Sequence, residues 1–75
     1  MPEQVGFLVG RNIAKARENA GLTQQQLAEK IGRMRHEISR FETGERIPRI
    51  EVLAKIAETL QVNIKVFFED ENQNT

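Results

Sequence analysis

Residues 21–32 read Gly21-Leu22-Thr23-Gln24-Gln25-Gln26-Leu27-Ala28-Glu29-Lys30-Ile31-Gly32, and their chemistry is that of one short helix closed at both ends. Thr23 with Gln26 three residues later is a capping box. The hydroxyl accepts an otherwise unpaired backbone N–H of the first turn, and the amide reaches back to the N–H of the cap. The helix is expected over Gln24 to Ile31, with Leu27, Ala28 and Ile31 as its buried stripe. Gly32 ends it, because glycine enters the left-handed region without steric cost.

The neighbouring segments follow the same logic. A third helix is expected from about Arg35 to Thr43, with Ile38 and Phe41 pointing inward and Gly44 as its stop. The turn joining these two helices, around Gly32, spans about three residues, the connection of a helix-turn-helix. Upstream, Val9, Ile13, Ala16 and Ala20 recur on one face of a first helix that Gly21 stops. Downstream, Pro48 marks the loop exit, and Ile50, Leu53, Ala54, Ala57 and Leu60 describe a fourth helix. Asn63 can cap a short fifth turn through Ile64, Phe67 and Phe68. No segment alternates as a strand does, so the class is all-α. Residues 1–68 are expected to form one domain, and residues 69–75 an acidic, disordered tail.

Composition narrows the function. With 75 residues there is room for one small domain. The chain has no Cys, no Trp and no Tyr, which excludes disulfides, thiolate metal sites and Cys nucleophiles. The single histidine, His36, has no Cys partner set, so neither a metal nor any other cofactor is expected. No apolar run approaches the roughly 20 residues that span a bilayer, and the N-terminus lacks the basic region of a signal peptide. No membrane partner is expected, and the expected compartment is the cytoplasm. An enzyme is disfavoured, since no acid pair stands beside a plausible nucleophile. Gly6 and Gly10 form a lone GxxxG, far too weak a signal for a phosphate loop or a membrane dimer.

Eleven basic and eleven acidic residues give a formal net charge of zero. Taken alone, that balance argues against a nucleic-acid ligand, because small nucleic-acid binders are mostly basic. The charge is unevenly spread, however. Residues 11–49 hold nine bases and five acids, a net of +4, whereas residues 50–75 carry a net of −3. Such a block pattern can build one basic face, or simply a set of solvated helix surfaces.

The stretch from Gly21 to Gly32, followed by Ile38-Ser39-Arg40-Phe41-Glu42-Thr43-Gly44 and Pro48, resembles the phage-repressor/Cro, or XRE, family of helix-turn-helix proteins. Leu53-Ala54-Lys55-Ile56-Ala57 and Val62-Asn63-Ile64-Lys65-Val66-Phe67-Phe68 resemble that family's fourth and fifth helices. The resemblance runs over residues 8–68. It implies a compact, five-helix, lambda-repressor-like domain with the helix-turn-helix at helices two and three. It also implies a sequence-specific regulator of transcription that binds double-stranded DNA as a homodimer on a palindromic operator.

The resemblance carries residue roles with it. The third helix would lie in the major groove, bringing Arg35, His36, Ser39 and Arg40 to base edges. Arg35 is chosen first, since a guanidinium can read guanine O6 and N7 bidentately. Arg40 can read a base or clamp a phosphate, and His36 can contact DNA or be an ordinary surface residue. Gln24 matches a phosphate-binding position that also touches the recognition helix. Arg11, Asn12, Arg33, Arg46 and Arg49 are further candidates for phosphate contact. Arg17 and Glu42 match a structural ion pair between helices one and three. Val66, Phe67 and Phe68 are candidates for a dimer seam, one phenylalanine being expected to close the monomer core and the other to face the partner.

Three positions depart from the family pattern. Arg33 replaces a small aliphatic, and its methylenes can lie on the core while its charge reaches a phosphate. Met34 replaces a capping Ser or Thr, which costs about 1 kcal/mol and leaves the start of the recognition helix open to shifting or fraying. Gln61 stands where a glycine usually ends the fourth helix. Glu37 would repel phosphate unless it pairs with Arg33 or Arg40, or accepts from cytosine N4. With the zero net charge, Glu37 keeps a second class open, an antitoxin or adaptor that uses the same fold chiefly to bind a protein partner. A small-molecule sensor of its own is not expected in so short a chain.

Overall fold

A computed structural model describes residues 2–70. Four α-helices follow one another: α1 (Pro2–Asn19), α2 (Gln24–Ile31), α3 (Arg35–Thr43) and α4 (Ile50–Leu60). A 3-10 helix, Ile64–Phe68, closes the order. There is no strand among the described residues.

The helix ends follow the side-chain chemistry. At α2 the Thr23 hydroxyl accepts from the Gln26 N–H at 3.0 Å, and the Gln26 amide oxygen accepts from the Thr23 N–H at 2.8 Å. Gly32 then takes the left-handed conformation at φ 72°. At α3, Met34 occupies the cap position and its side chain makes no cap hydrogen bond. The helix nonetheless starts at Arg35, because Glu37 reaches back and accepts the Met34 N–H at 3.0 Å. Half a capping box holds where the other half is missing. Gln61 ends α4 in the left-handed region at φ 59°, the one non-glycine residue with positive φ among those described.

The core gathers Val9, Ile13 and Ala16 of α1, Leu27 and Ala28 of α2, and Ile38 and Phe41 of α3. Val52, Leu53, Ile56, Ala57 and Leu60 of α4 join them, together with Phe67. α1 packs on α3 and on the 3-10 helix, while α2 sits between α3 and α4. Gly10 permits the first of these contacts. A Cβ there would lie 2.3 Å from the Phe41 carbonyl oxygen and 2.6 Å from that of Glu42.

Several expectations need correction. The fifth helix is a 3-10 helix rather than an α-helix. Its i→i+3 bonds run from the Val66 N–H to the Asn63 carbonyl and from the Glu69 N–H to the Val66 carbonyl. The Phe67 and Glu69 carbonyls are taken by the Asn12 side chain, so they do not extend the helix. In α4, Ile50 and Ala54 are exposed, and Val52 and Ile56 are buried in their stead. Ala20 lies past the last residue of α1 and is exposed. Of the expected disordered tail, residues 71–75 lie outside the described residues. Glu69 and Asp70 are held against α1, through the Asn12 bond to the Glu69 carbonyl at 2.8 Å and through Arg11.

Candidate nucleic-acid interface

Burial of Ile38 and Phe41 fixes which face of α3 is left outside. Three positions apart on a helix, they form one inward edge. Arg35, His36 and Arg40 are exposed, and Ser39 is half-buried between the two faces. All four candidate base-reading residues thus lie on one short helix whose other side is locked into the core.

The N-terminal end of that helix is braced by a chain of charge-assisted hydrogen bonds. The Arg17 guanidinium of α1 grips Glu42 of α3 with Nε on one carboxylate oxygen at 2.6 Å and Nη2 on the other at 3.1 Å. Its Nη1 donates to the Leu22 carbonyl at 2.7 Å. The pair is enclosed, with side chains only 11% and 7% exposed. The hydrogen bond to Glu42 raises the Arg17 pKa further, so the guanidinium is permanently charged. From α2, Gln24 Nε2 donates to the same carboxylate at 2.9 Å. That fixes the amide so that its oxygen faces α3, where it accepts from Arg35 Nη1 at 3.0 Å. Glu42 therefore orients Gln24, and Gln24 holds Arg35.

Glu37 pairs with Arg33, one of the partners weighed on sequence, and also takes a capping task that was not. Besides capping α3, it accepts from Arg33 Nη1 at 3.2 Å, one turn away. The hydrogen bond from the Met34 N–H is the main cause that lowers its pKa below the ordinary carboxylate value. The signal was present in the sequence, since a Glu at the third helical position is half of a capping box even after a non-capping residue. Arg33 is thereby engaged with Glu37, while its side chain stays exposed at the lip of the turn.

The remaining basic candidates divide. Arg46 and Arg49 are exposed in the loop between α3 and α4, and with Arg33 they line a groove of about 290 Å³ beside the start of α4. Arg40 stands 3.9 Å from Glu45. Arg11 is exposed, with the Asp70 carboxylate 3.9 Å away. Asn12 departs most from its expected role. It is buried and gives its amide hydrogens to the Phe67 carbonyl at 3.0 Å and the Glu69 carbonyl at 2.8 Å. A buried amide must be satisfied within the fold, and this one is spent on docking the 3-10 helix.

At the C-terminal end the two phenylalanines separate. Phe67 is fully buried in the core, which removes it from any dimer seam, whereas Phe68 is 48% exposed and Val66 is half-buried. No group of His, Cys, Asp and Glu that could hold a metal ion occurs among the described residues. No described helix is long and apolar enough to cross a membrane.

Comparison with known proteins gives this geometry its context. A family profile described as Helix-turn-helix matches residues 13–67. Multiprotein-bridging factor 1 of Eremothecium gossypii is 38% identical over 64 residues, which is 85% of this chain and 42% of that protein. Human endothelial differentiation-related factor 1 is 35% identical over 63 residues, 84% of this chain and 43% of that protein. The chain thus spans about two-fifths of the length of these relatives. Among solved structures, the restriction-modification controller protein C.AhdI from Aeromonas hydrophila superposes with a TM-score of 0.78 at 26% identity, covering 83% of this chain and 94% of that one. A helix-turn-helix transcriptional regulator from Vibrio cholerae does so with a TM-score of 0.85 at 25% identity, covering 97% of this chain and 41% of that one.

Proposed function

From the premise that the chain belongs to the XRE-type helix-turn-helix family, a DNA-binding regulator fold, we propose that it binds double-stranded DNA sequence-specifically and regulates transcription. The N-terminal half of α3 enters the major groove. The observation that carries this reading is the exposed trio Arg35, His36 and Arg40 on a helix whose opposite face is locked by Ile38 and Phe41. Arg35 reads a guanine edge, Arg40 and Ser39 read or clamp beside it, and His36 borders them. Gln24, Arg33, Arg46 and Arg49 contact the flanking phosphates, the three arginines with charge and Gln24 by hydrogen bonding alone. Arg11, drawn toward Asp70, is a weaker member of that set.

One domain of this size makes too few contacts for tight binding, so the active species is a homodimer on a palindrome with half-sites about one helical turn apart. Phe68, with Val66 beside it, supplies the apolar part of the seam. Selection of bound duplexes from a random pool tests the whole reading. The expected result is a two-fold symmetric site bound as two chains. Failure to enrich any sequence, with no binding at low salt, would sink it. Arg35→Ala is expected to relax one base position. Gln24→Ala is expected to weaken binding to all duplexes and also to blunt the preference at that position, because its amide oxygen holds Arg35.

A second reading is favoured by one of these relatives, multiprotein-bridging factor 1, which is named for bridging several proteins. In it the same fold is an adaptor, docking a protein partner on exposed apolar side chains such as Val5 and Phe7 of α1. A Phe7→Ser change that abolishes partner capture while leaving duplex selection intact would support it.

A further inference from the structure

Met34 is 62% exposed at the first step into α3, and its thioether side chain makes no cap hydrogen bond. A single exposed apolar residue is unremarkable on a protein surface, but two features set this one apart. Glu37 supplies the half of the capping box that accepts the Met34 N–H, and the thioether does not supply the other half, so the Met34 side chain makes no hydrogen bond at the helix start. Both neighbours in sequence are guanidinium groups held by partners, Arg33 by Glu37 and Arg35 by Gln24. An unbranched, unoccupied apolar side chain is thus carried between two positioned cations.

We propose that Met34 reads the C5-methyl group of a pyrimidine, a thymine in unmodified DNA, on a base pair next to the one that Arg35 contacts. The inference rests on the reading that the N-terminal half of α3 enters the major groove. In that groove the base edges present hydrogen-bond donors and acceptors, and the thymine methyl is the one apolar feature. A thioether is a poor hydrogen-bonding partner for the donors and acceptors, but it is flexible, polarisable and well suited to pack on a methyl. Flanking cations keep the side chain near the duplex, because each can reach a phosphate or a guanine without releasing the residue between them. Met34 is therefore a specificity-determining residue, acting by apolar contact where Arg35 acts by hydrogen bonds.

The test uses duplexes selected from a random pool by the wild-type protein. Each thymine of the half-site is replaced in turn by deoxyuridine, which removes the methyl alone. At one position per half-site the wild type is expected to lose affinity by about three- to five-fold, the worth of one buried methyl. A cytosine against 5-methylcytosine comparison at that position separates reading of the methyl from reading of thymine as a whole. Met34→Leu is expected to keep the preference. Met34→Ser is expected to lose it while raising the melting temperature, because serine restores the missing cap. A more stable variant that no longer senses the methyl cannot be explained by a damaged fold. Wild-type binding that is sequence-specific but indifferent to the methyl at every position would overturn the proposal, as would a Met34→Ser protein that keeps the preference. Failure to select any duplex would instead overturn the DNA reading on which the proposal stands.

Discussion

Gly10 lies where α1 rests on the last turn of α3, and the space there is set by backbone rather than by side chains. An added Cβ would meet the Phe41 and Glu42 carbonyl oxygens at 2.3 and 2.6 Å, neither of which can rotate away. Gly10→Ala must therefore push the two helices apart, at a cost of about 2–3 kcal/mol. That corresponds to a fall on the order of 10–20 °C in melting temperature for a domain of this size, readable by thermal denaturation. Gly6 is the control: an added Cβ there would meet Ile47 Cγ1 at 3.1 Å and the Gly44 carbonyl oxygen at 3.3 Å, tight contacts but not the overlap found at Gly10. Gly6→Ala is expected to lose less than half as much. The GxxxG that carried no functional signal is in part a packing device between helices. Gln61 is strained in the opposite sense. It holds a left-handed conformation at φ 59° that costs a residue with a Cβ about 1 kcal/mol or more. Gln61→Gly is expected to stabilise the protein by a few tenths to about 1 kcal/mol, the balance of relieved strain against glycine's greater freedom when unfolded. A denaturation midpoint that moves down would contradict this.

At the scale of the elements, α3 depends on Glu37 for its start, and that dependence has a pH signature. The Met34 N–H and the Arg33 and His36 charges all favour the carboxylate, so the folded pKa lies below the unfolded one. The stabilisation from Glu37 is then fully present above the unfolded value of about 4.3 and is lost as pH falls through the depressed folded value. Exchange protection of the Met34 amide is expected to fall in that acid window while amides in the middle of α2 stay protected. In Glu37→Gln the Met34 amide should show no such acid dependence, since the amide at the third position does not titrate. The limits of α2 and α3 were legible in the sequence because capping residues, glycines and apolar spacing agree there. The phase of α4 was not. Ile50, Val52, Leu53, Ala54, Ile56, Ala57 and Leu60 are apolar around most of that helix, so periodicity alone does not separate the true stripe through Val52 and Ile56 from one through Ile50 and Ala54. Asn12 was misread for a related reason. It sits three residues from Val9 and four from Ala16, on the edge of the buried face, and a polar side chain on such a face is more readily a satisfied core amide than a surface contact.

For the molecule as a whole, zero net charge conceals a division of labour. Both acids within α3 are paired internally, Glu42 by Arg17 and Gln24 and Glu37 by Arg33 and the Met34 N–H. Arg46 and Arg49 in the loop after α3 stay exposed. Each pair uses up one base with its acid, so the formal count is unchanged, but the pairing leaves the exposed Arg46 and Arg49 as local positive charge that a phosphate backbone would meet. The consequence is measurable. Each phosphate contact releases condensed counterions, and the logarithm of the binding constant falls with the logarithm of salt with a slope of about −0.9 per contact on duplex DNA. If Arg46 and Arg49 each neutralise one phosphate per half-site, replacing both by Ala should make the slope shallower by about 2 per domain engaged. Affinity for the selected site and for unrelated duplexes should fall together, leaving their ratio nearly unchanged. On the proposed reading Arg35→Ala should do the reverse, changing the ratio more than the slope, because a guanidinium that reads a base edge carries sequence information that a phosphate contact does not. Titrations of the wild type and the two variants against both kinds of duplex at several salt concentrations separate these outcomes. An unchanged slope in the double variant would mean that the loop after α3 lies away from the backbone and that the positive field is supplied elsewhere on the molecule.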